Sequence, residues 1–135
     1  MKHYRVLFIC CIITISTLAL WACTLIQTQV RKDFYITKQI NYADAFEKGV
    51  KACRDIDLEI GLSNKDAGQI TCNTTYSTFK PYYELNIFLE KEGGMLKKVD
   101  VKAFGGTGGP IPPSESSAVE LIQKYFNALK QLGIE

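Results

Sequence analysis

The chain has almost no histidine and almost no tryptophan, with one of each, His3 and Trp21, in its 135 residues. Beyond residue 3 there is no imidazole, so neither a Ser-His-Asp nor a Cys-His catalytic unit can be built there. A catalytic zinc site of ordinary type would also lack its commonest ligand. The composition therefore predicts a protein that is not an enzyme and that carries neither a metal nor a cofactor.

The N-terminus has the layout of an export signal. Lys2 and Arg5 precede a charge-free run over residues 6–26, and a basic start, an apolar middle and a small residue before the cleavage point are typical of secretory signals. The tetrad Leu-Trp-Ala-Cys at residues 20–23 resembles the lipobox of bacterial lipoproteins. In that family the cysteine is acylated and becomes the mature N-terminus.

The lipobox resemblance implies a signal peptide over residues 1–22 and a lipid on Cys23. It also implies a bacterial cell-envelope protein held to a membrane by its lipid anchor, with its domain facing the periplasm. An uncleaved signal anchor is the alternative, because about 20 apolar residues suffice to span a bilayer. Both interpretations place the remainder of the chain outside the cytoplasm.

The charge balance changes when residues 1–22 are removed. Lys2 and Arg5 account for two of the 16 basic residues, so 14 remain against 14 acidic residues. A neutral domain lacks the basic patch that nucleic acids or anionic headgroups require. We therefore expect no nucleic-acid partner.

Amphipathic segments follow the predicted tether of residues 23–40. Asn41 is the predicted cap of a helix with an apolar stripe at helical spacing: Tyr42, Phe46, Val50 and Cys53. Strict alternation then predicts a strand with Ile56, Leu58, Ile60 and Leu62 on one face. A turn leads to a second strand, which carries Ile70 and Cys72.

Two longer strands are predicted over residues 82–91 and 96–104. A three-residue loop, residues 93–95, would keep the apolar face whole. It pairs Leu89 with Val99, Ile87 with Val101 and Glu90 with Lys98. The Gly- and Pro-rich residues 105–113 form a loop, and a last helix begins near Ser114 and ends at Gly133.

The order helix, two hairpins, helix predicts one α+β domain over residues 41–135. We expect two layers, an antiparallel four-stranded sheet with both helices on one face. Residues 34–37 are rich in strand formers and allow a fifth strand at an edge.

The run over residues 42–70, with its alternating strand and the turn Asp66-x-Gly68-x-Ile70, resembles small bacterial lipoproteins of unknown function. The strand ending Val-Asp-Val-Lys-Ala-Phe-Gly at residues 99–105 is also similar. A more distant likeness is to the repeated domains of a lipoprotein subunit of the outer-membrane barrel-assembly machinery. These resemblances imply the fold and the location, and they carry over no functional residue.

Two cysteines, Cys53 and Cys72, remain after the signal and the lipobox take three of the five. Cys53 ends the helical stripe and Cys72 lies on the apolar sheet face, so both sulfurs enter one layer. A disulfide requires Cα atoms within roughly 7 Å. The alternative is a pair of buried thiols that act as small apolar residues.

The predicted register turns three aromatic side chains, Tyr82, Phe88 and Phe104, away from the helices. Tyr82 and Phe104 become diagonal neighbours, and exposed aromatics in numbers can mark a partner surface. Scattered exposed aromatics, or aromatics covered by the tether, are the alternative. The sequence favours a non-catalytic binding or assembly accessory module with an envelope protein as partner. A module that binds a small ligand or an envelope polymer is the second hypothesis.

Overall fold

A computed structural model describes residues 28–106 and 111–135. In those ranges the elements are β1 (Gln29–Tyr35), α1 (Tyr42–Asp55), β2 (Leu58–Asn64), β3 (Gln69–Thr74), β4 (Tyr82–Glu92), β5 (Met95–Gly106) and α2 (Glu115–Gln131). The strands form one antiparallel sheet in the order β1-β5-β4-β3-β2. The predicted α+β class is confirmed, and the sheet has five strands.

The fifth strand, β1, begins earlier than the predicted edge strand. It runs along β5 from Gln29, opposite Phe104, to Tyr35, opposite Lys98, so it includes residues that the sequence assigned to the tether of residues 23–40. An edge strand pairs on one side only and often carries charged residues. The run Arg-Lys-Asp at residues 31–33 therefore hides the alternation that would have identified it.

Both helices begin, and α2 ends, where local sequence signals place them. The Asn41 side chain accepts a hydrogen bond from the Ala43 amide at 2.9 Å, which caps α1. The Ser114 hydroxyl accepts from the Ser117 amide at 3.2 Å and caps α2. Gly133 follows α2 with φ +83°, a left-handed conformation that glycine adopts at low cost.

The β4–β5 hairpin confirms the predicted register and corrects its turn. The predicted pairs are present: Leu89 with Val99, Ile87 with Val101 and Glu90 with Lys98. The three-residue loop is wrong, because Met95 already belongs to β5 and the turn consists of Gly93 and Gly94. Their φ values of +59° and +79° suit a tight two-residue turn. Lys97 lacks a Cα partner on β4, and this one-residue bulge restores the register.

A second bulge moves Leu62 to the opposite face from the one predicted. Ile60 pairs with Cys72, but Leu62 pairs with Thr71, so Gly61 is the extra residue. Because side chains alternate along a strand, one extra residue reverses the face of all that follow. Leu62 is consequently 46% exposed.

The core is built on one face of the sheet. The buried apolar strand residues that share this face are Val30, Leu58, Ile70, Cys72, Tyr83, Leu85, Ile87, Leu89, Leu96, Val99, Val101 and Ala103. In α1, Cys53 forms a disulfide with Cys72, with Cα atoms 6.5 Å apart. In α2, the ring of Phe126 stacks on Phe34 with centroids 5.4 Å apart. The helices meet where the buried Tyr125 hydroxyl donates to the Gly49 carbonyl at 3.3 Å.

Gly68, the glycine of the Asp-x-Gly-x-Ile turn, lies where three elements meet. Its carbonyl accepts from the Leu89 amide of β4 at 2.8 Å. The Tyr42 hydroxyl of α1 donates to the Lys65 carbonyl of the same turn at 2.8 Å. A Cβ on Gly68 would lie 2.5 Å from the Leu89 carbonyl oxygen. The turn motif therefore fastens the β2–β3 hairpin to α1 and β4.

Candidate binding surface

The face of the sheet opposite the core is polar with a few aromatic residues; we call it the outer face. Directly paired residues on antiparallel strands lie on the same face, so the register assigns its members. On the three middle strands these are Gln69, Thr71, Asn73, Tyr82, Glu84, Asn86, Phe88, Glu90, Lys98, Asp100, Lys102 and Phe104. β1 contributes Arg31, Asp33 and Tyr35.

A depression of about 280 Å³ lies at one end of the outer face. Its lining residues are Tyr82, Glu84, Asn86, Phe104, Gly105 and Gly106. Glu84 pairs with Phe104 and Tyr82 pairs with Gly106, so the two aromatic residues are diagonal neighbours, as the register predicted. A Cβ on Gly106 would lie 2.7 Å from the Tyr82 ring. Because Gly106 has no side chain, the Tyr82 ring can occupy this position.

Polar side chains beside the depression, on β4 and on the neighbouring strand β3, form hydrogen bonds with one another. The Thr71 hydroxyl donates to Asn86 Oδ1 at 2.7 Å, and Asn86 Nδ2 donates to Glu84 Oε1 at 2.7 Å. Among the described residues, Asn73 Oδ1 is buried and accepts no hydrogen bond. Burial raises the pKa of Tyr82, and the charges of Glu84 and Glu59 raise it further. The surface thus offers acceptor oxygens beside two aromatic rings, which suits a partner with amide or hydroxyl donors.

Phe88 does not belong to this depression. It lies four residues beyond Glu84 on β4, a separation of roughly 13 Å along the strand. It is opposite Asp100 on β5, and Lys102 Nζ lies 5.4 Å from its ring centroid. The structure therefore brings Tyr82 and Phe104 together and places Phe88 in a separate part of the outer face.

An ion pair on the outer face was missed by the sequence reasoning. Asp100 is 4% exposed and accepts two hydrogen bonds from the Arg31 guanidinium, one of them from Nε at 2.9 Å. These bonds and the Asp100 charge raise the pKa of Arg31. Asp33 pairs directly with Asp100, and Lys98 Nζ lies 3.6 Å from the Asp33 carboxylate. The sequence did contain a signal for this ion pair. Asp100 lies between two valines in a buried strand, where a carboxylate needs an oppositely charged side chain.

The carboxylates of Asp57 and Glu59 and the two core cysteines are further groups with chemical reactivity among residues 28–106 and 111–135. Asp57 has φ +60° and precedes β2, so it does not share a strand face with Glu59, whose carboxylate accepts from the Thr75 hydroxyl at 3.2 Å. The disulfide of Cys53 and Cys72 lies in the core, and Cys23 lies outside the described residues. Within residues 28–106 and 111–135, no three His, Cys, Asp or Glu side chains are grouped to hold a metal. In the same ranges neither helix is long and apolar enough to cross a membrane.

Comparison with known proteins gives a fold likeness and no family. No family model and no curated protein matches the chain. Twenty-two chains of solved structures match. One is the crystal structure of Ara h 8.0201, which is 13% identical with a TM-score of 0.50 over 78% of this chain and 97% of that chain. At this identity the likeness concerns the fold alone.

Proposed function

We propose that this chain is a non-catalytic, lipid-anchored cell-envelope protein that binds a partner protein through the outer face of its sheet. We further propose that both helices cover the same face of the sheet, so that the outer face is available. The first proposal depends on the second, because a surface covered by a helix could not receive a partner.

The contacts of the two helices support this layering. Cys53 of α1 is bonded to Cys72 of β3, and Phe126 of α2 stacks on Phe34 of β1. By register, Cys72 is opposite Leu85 and Phe34 is opposite Val99, so both contacts are made with core-face residues.

The observation that carries the binding proposal is the Tyr82–Phe104 depression with its adjoining acceptors. Aromatic rings with a polar group are enriched at interfaces, where they supply area and a hydrogen bond together. The neighbouring carboxylate and amide groups of Glu84, Asn86 and Asn73 would fix the orientation of a partner.

The test is site-specific photo-crosslinking in intact cells. A photoreactive phenylalanine at position 104 or 88 reports on the outer face. The matched control is the same residue at position 119, because Val119 is 37% exposed on α2. We expect a discrete crosslinked protein from the two sheet positions and none from the helix position. Equal crosslinking from all three positions, or none from the sheet, would contradict the proposal.

A module for a small ligand or an envelope polymer is the second candidate, and the depression itself favours it. A ligand held there would depend on Tyr82 and Phe104 and would not depend on Phe88, which lies outside the lining. A protein partner that covers the outer face would depend on all three. Binding measurements with Phe88→Ala and Phe104→Ala therefore discriminate the two functions: loss with Phe104→Ala alone indicates the ligand.

A further inference from the structure

The two ends of the sheet differ in what they expose. The chain enters the sheet at Thr28, whose carbonyl accepts from the Gly105 amide at 2.8 Å and whose hydroxyl donates to the Pro113 carbonyl at 3.4 Å. We call this the Thr28 end, and it includes the loop of residues 75–81 between β3 and β4. The opposite, Tyr35 end carries the turn of Gly93 and Gly94.

The loop at the Thr28 end presents aromatic side chains to solvent. Phe79 is 83% exposed and Tyr76 is 64% exposed. The Lys80 amide donates to the Ser77 carbonyl at 3.5 Å, and the Phe79 amide donates to the Ser77 hydroxyl at 3.3 Å. Phe79 therefore lies at the tip of a turn that holds it out from the domain. A phenylalanine in this position is unfavourable in water and suits an apolar environment.

The distance from the predicted lipid favours a membrane as that environment. Cys23 precedes Thr28 by five residues, which span at most roughly 18 Å when fully extended and about 12 Å as a flexible chain. β1 then carries the chain roughly 20 Å further from Thr28 to the Tyr35 end. The Thr28 end is consequently the part of the domain nearest to the bilayer.

We infer that the Thr28 end faces the membrane and that Phe79, with Tyr76, inserts into the interfacial region of the bilayer to which the chain is anchored. This inference rests on the proposed anchor, and an uncleaved signal anchor would bring the same end to the bilayer. Tyrosine is enriched at membrane–water interfaces, and removal of the apolar Phe79 ring from water is favourable. The adjacent Lys80 can extend its charged end to the headgroups. The contact sets the orientation of the domain, since the lipid already supplies attachment.

Electrostatic attraction does not drive this contact. Asp57 and Glu59 lie at the same end, at the start of β2, and oppose the charge of Lys80. An apolar contact on a short tether should therefore persist at high salt, whereas attraction of a basic patch would be screened. The Tyr82–Phe104 depression would then lie close to the membrane surface, with Phe88 further from it.

The test uses indole fluorescence in the full chain, with Phe79→Trp as the reporter. Trp21→Phe removes the only native tryptophan, and Tyr35→Trp is the matched control, because Tyr35 is 65% exposed at the opposite end. The cell-processed proteins are reconstituted in vesicles of phosphatidylethanolamine and phosphatidylglycerol, with part of the lipid brominated near the headgroup end of its acyl chains. We expect severalfold stronger quenching, and a bluer emission, at position 79 than at position 35, at low and at high salt.

The outcomes separate this inference from the proposed anchor. If the protein does not bind to the vesicles, both the anchor and the orientation are refuted. If it is bound but position 79 is not quenched, or both positions are quenched equally, the anchor stands and the orientation is wrong. Shielding at position 79 in native membranes but not in protein-free vesicles would assign the loop to a protein partner instead. An unchanged urea midpoint for Phe79→Trp verifies that the fold is retained.

Discussion

Replacing Gly68 by alanine should destabilise the domain far more than the same change at Gly94. Both glycines have positive φ, +66° and +79°, so an alanine at either pays a left-handed strain of about 1 to 2 kcal/mol. They differ in space, because a Cβ on Gly94 meets nothing within 4 Å, whereas one on Gly68 lies 2.5 Å from the Leu89 carbonyl oxygen and 2.8 Å from the Tyr42 hydroxyl. Gly94→Ala is therefore the matched control.

The additional cost at Gly68 follows from what would have to move. Relieving the clash requires shifting β4 backbone, which would lengthen the 2.8 Å hydrogen bond from the Leu89 amide to the Gly68 carbonyl. Overpacking of this kind costs about 1 to 3 kcal/mol, and the weakened hydrogen bond about 1 kcal/mol more. We expect Gly68→Ala to lose about 3 to 6 kcal/mol, a large part of the roughly 5 to 15 kcal/mol of a typical domain.

Urea unfolding of the two variants, read from midpoints at equal slope, measures this difference. A cycle with Tyr42→Phe separates the two obstacles. Because the nearer atom is a backbone carbonyl, removing the Tyr42 hydroxyl should recover less than half of the loss. If Gly68→Ala and Gly94→Ala are equally stable, the steric argument is wrong and only the backbone conformation matters there.

Three further outcomes are expected. Alkylation of the unfolded, unreduced mature domain should find no reactive thiol, and two reactive thiols would disprove the disulfide. Replacing Cys53 and Cys72 by alanine should lower the free energy of unfolding by about 3 kcal/mol. Mass spectrometry should find a diacyl or triacyl lipid on Cys23, and Cys23→Ala should block cleavage of the signal peptide. A full-length, unlipidated N-terminus in membranes would instead establish the signal anchor. Arg31→Gln should lower the urea midpoint clearly, because it leaves the buried Asp100 carboxylate without its guanidinium partner, while Asp33→Asn at a 41% exposed side chain should be close to neutral; equal midpoints would contradict the assigned role of the ion pair.

Local signals in the sequence determined much of the fold. Asn41, Ser114 and Gly133 predicted helix ends correctly, because capping depends on a few neighbouring residues. Alternation along β4 and β5 predicted their register, because a slip by one residue would bury polar side chains. The number of residues in their turn was not predictable in this way, since the bulge at Lys97 compensates for a shorter turn and leaves the same pairs aligned.

Features that depend on distant parts of the chain were decided only by the tertiary structure. β1 pairs with β5 across some seventy residues, so its strand character comes from its neighbour and not from its own charged sequence. The bulge at Gly61, the depression beside Gly106 and the partner of Asp100 likewise depend on which strand lies alongside. Sequence alone placed Tyr82 and Phe104 on a common face, and it did so because alternation is local. The separation of Phe88 and the exposure of Phe79 at the Thr28 end required the assembled sheet, because only non-local pairing sets which loops and side chains share an end.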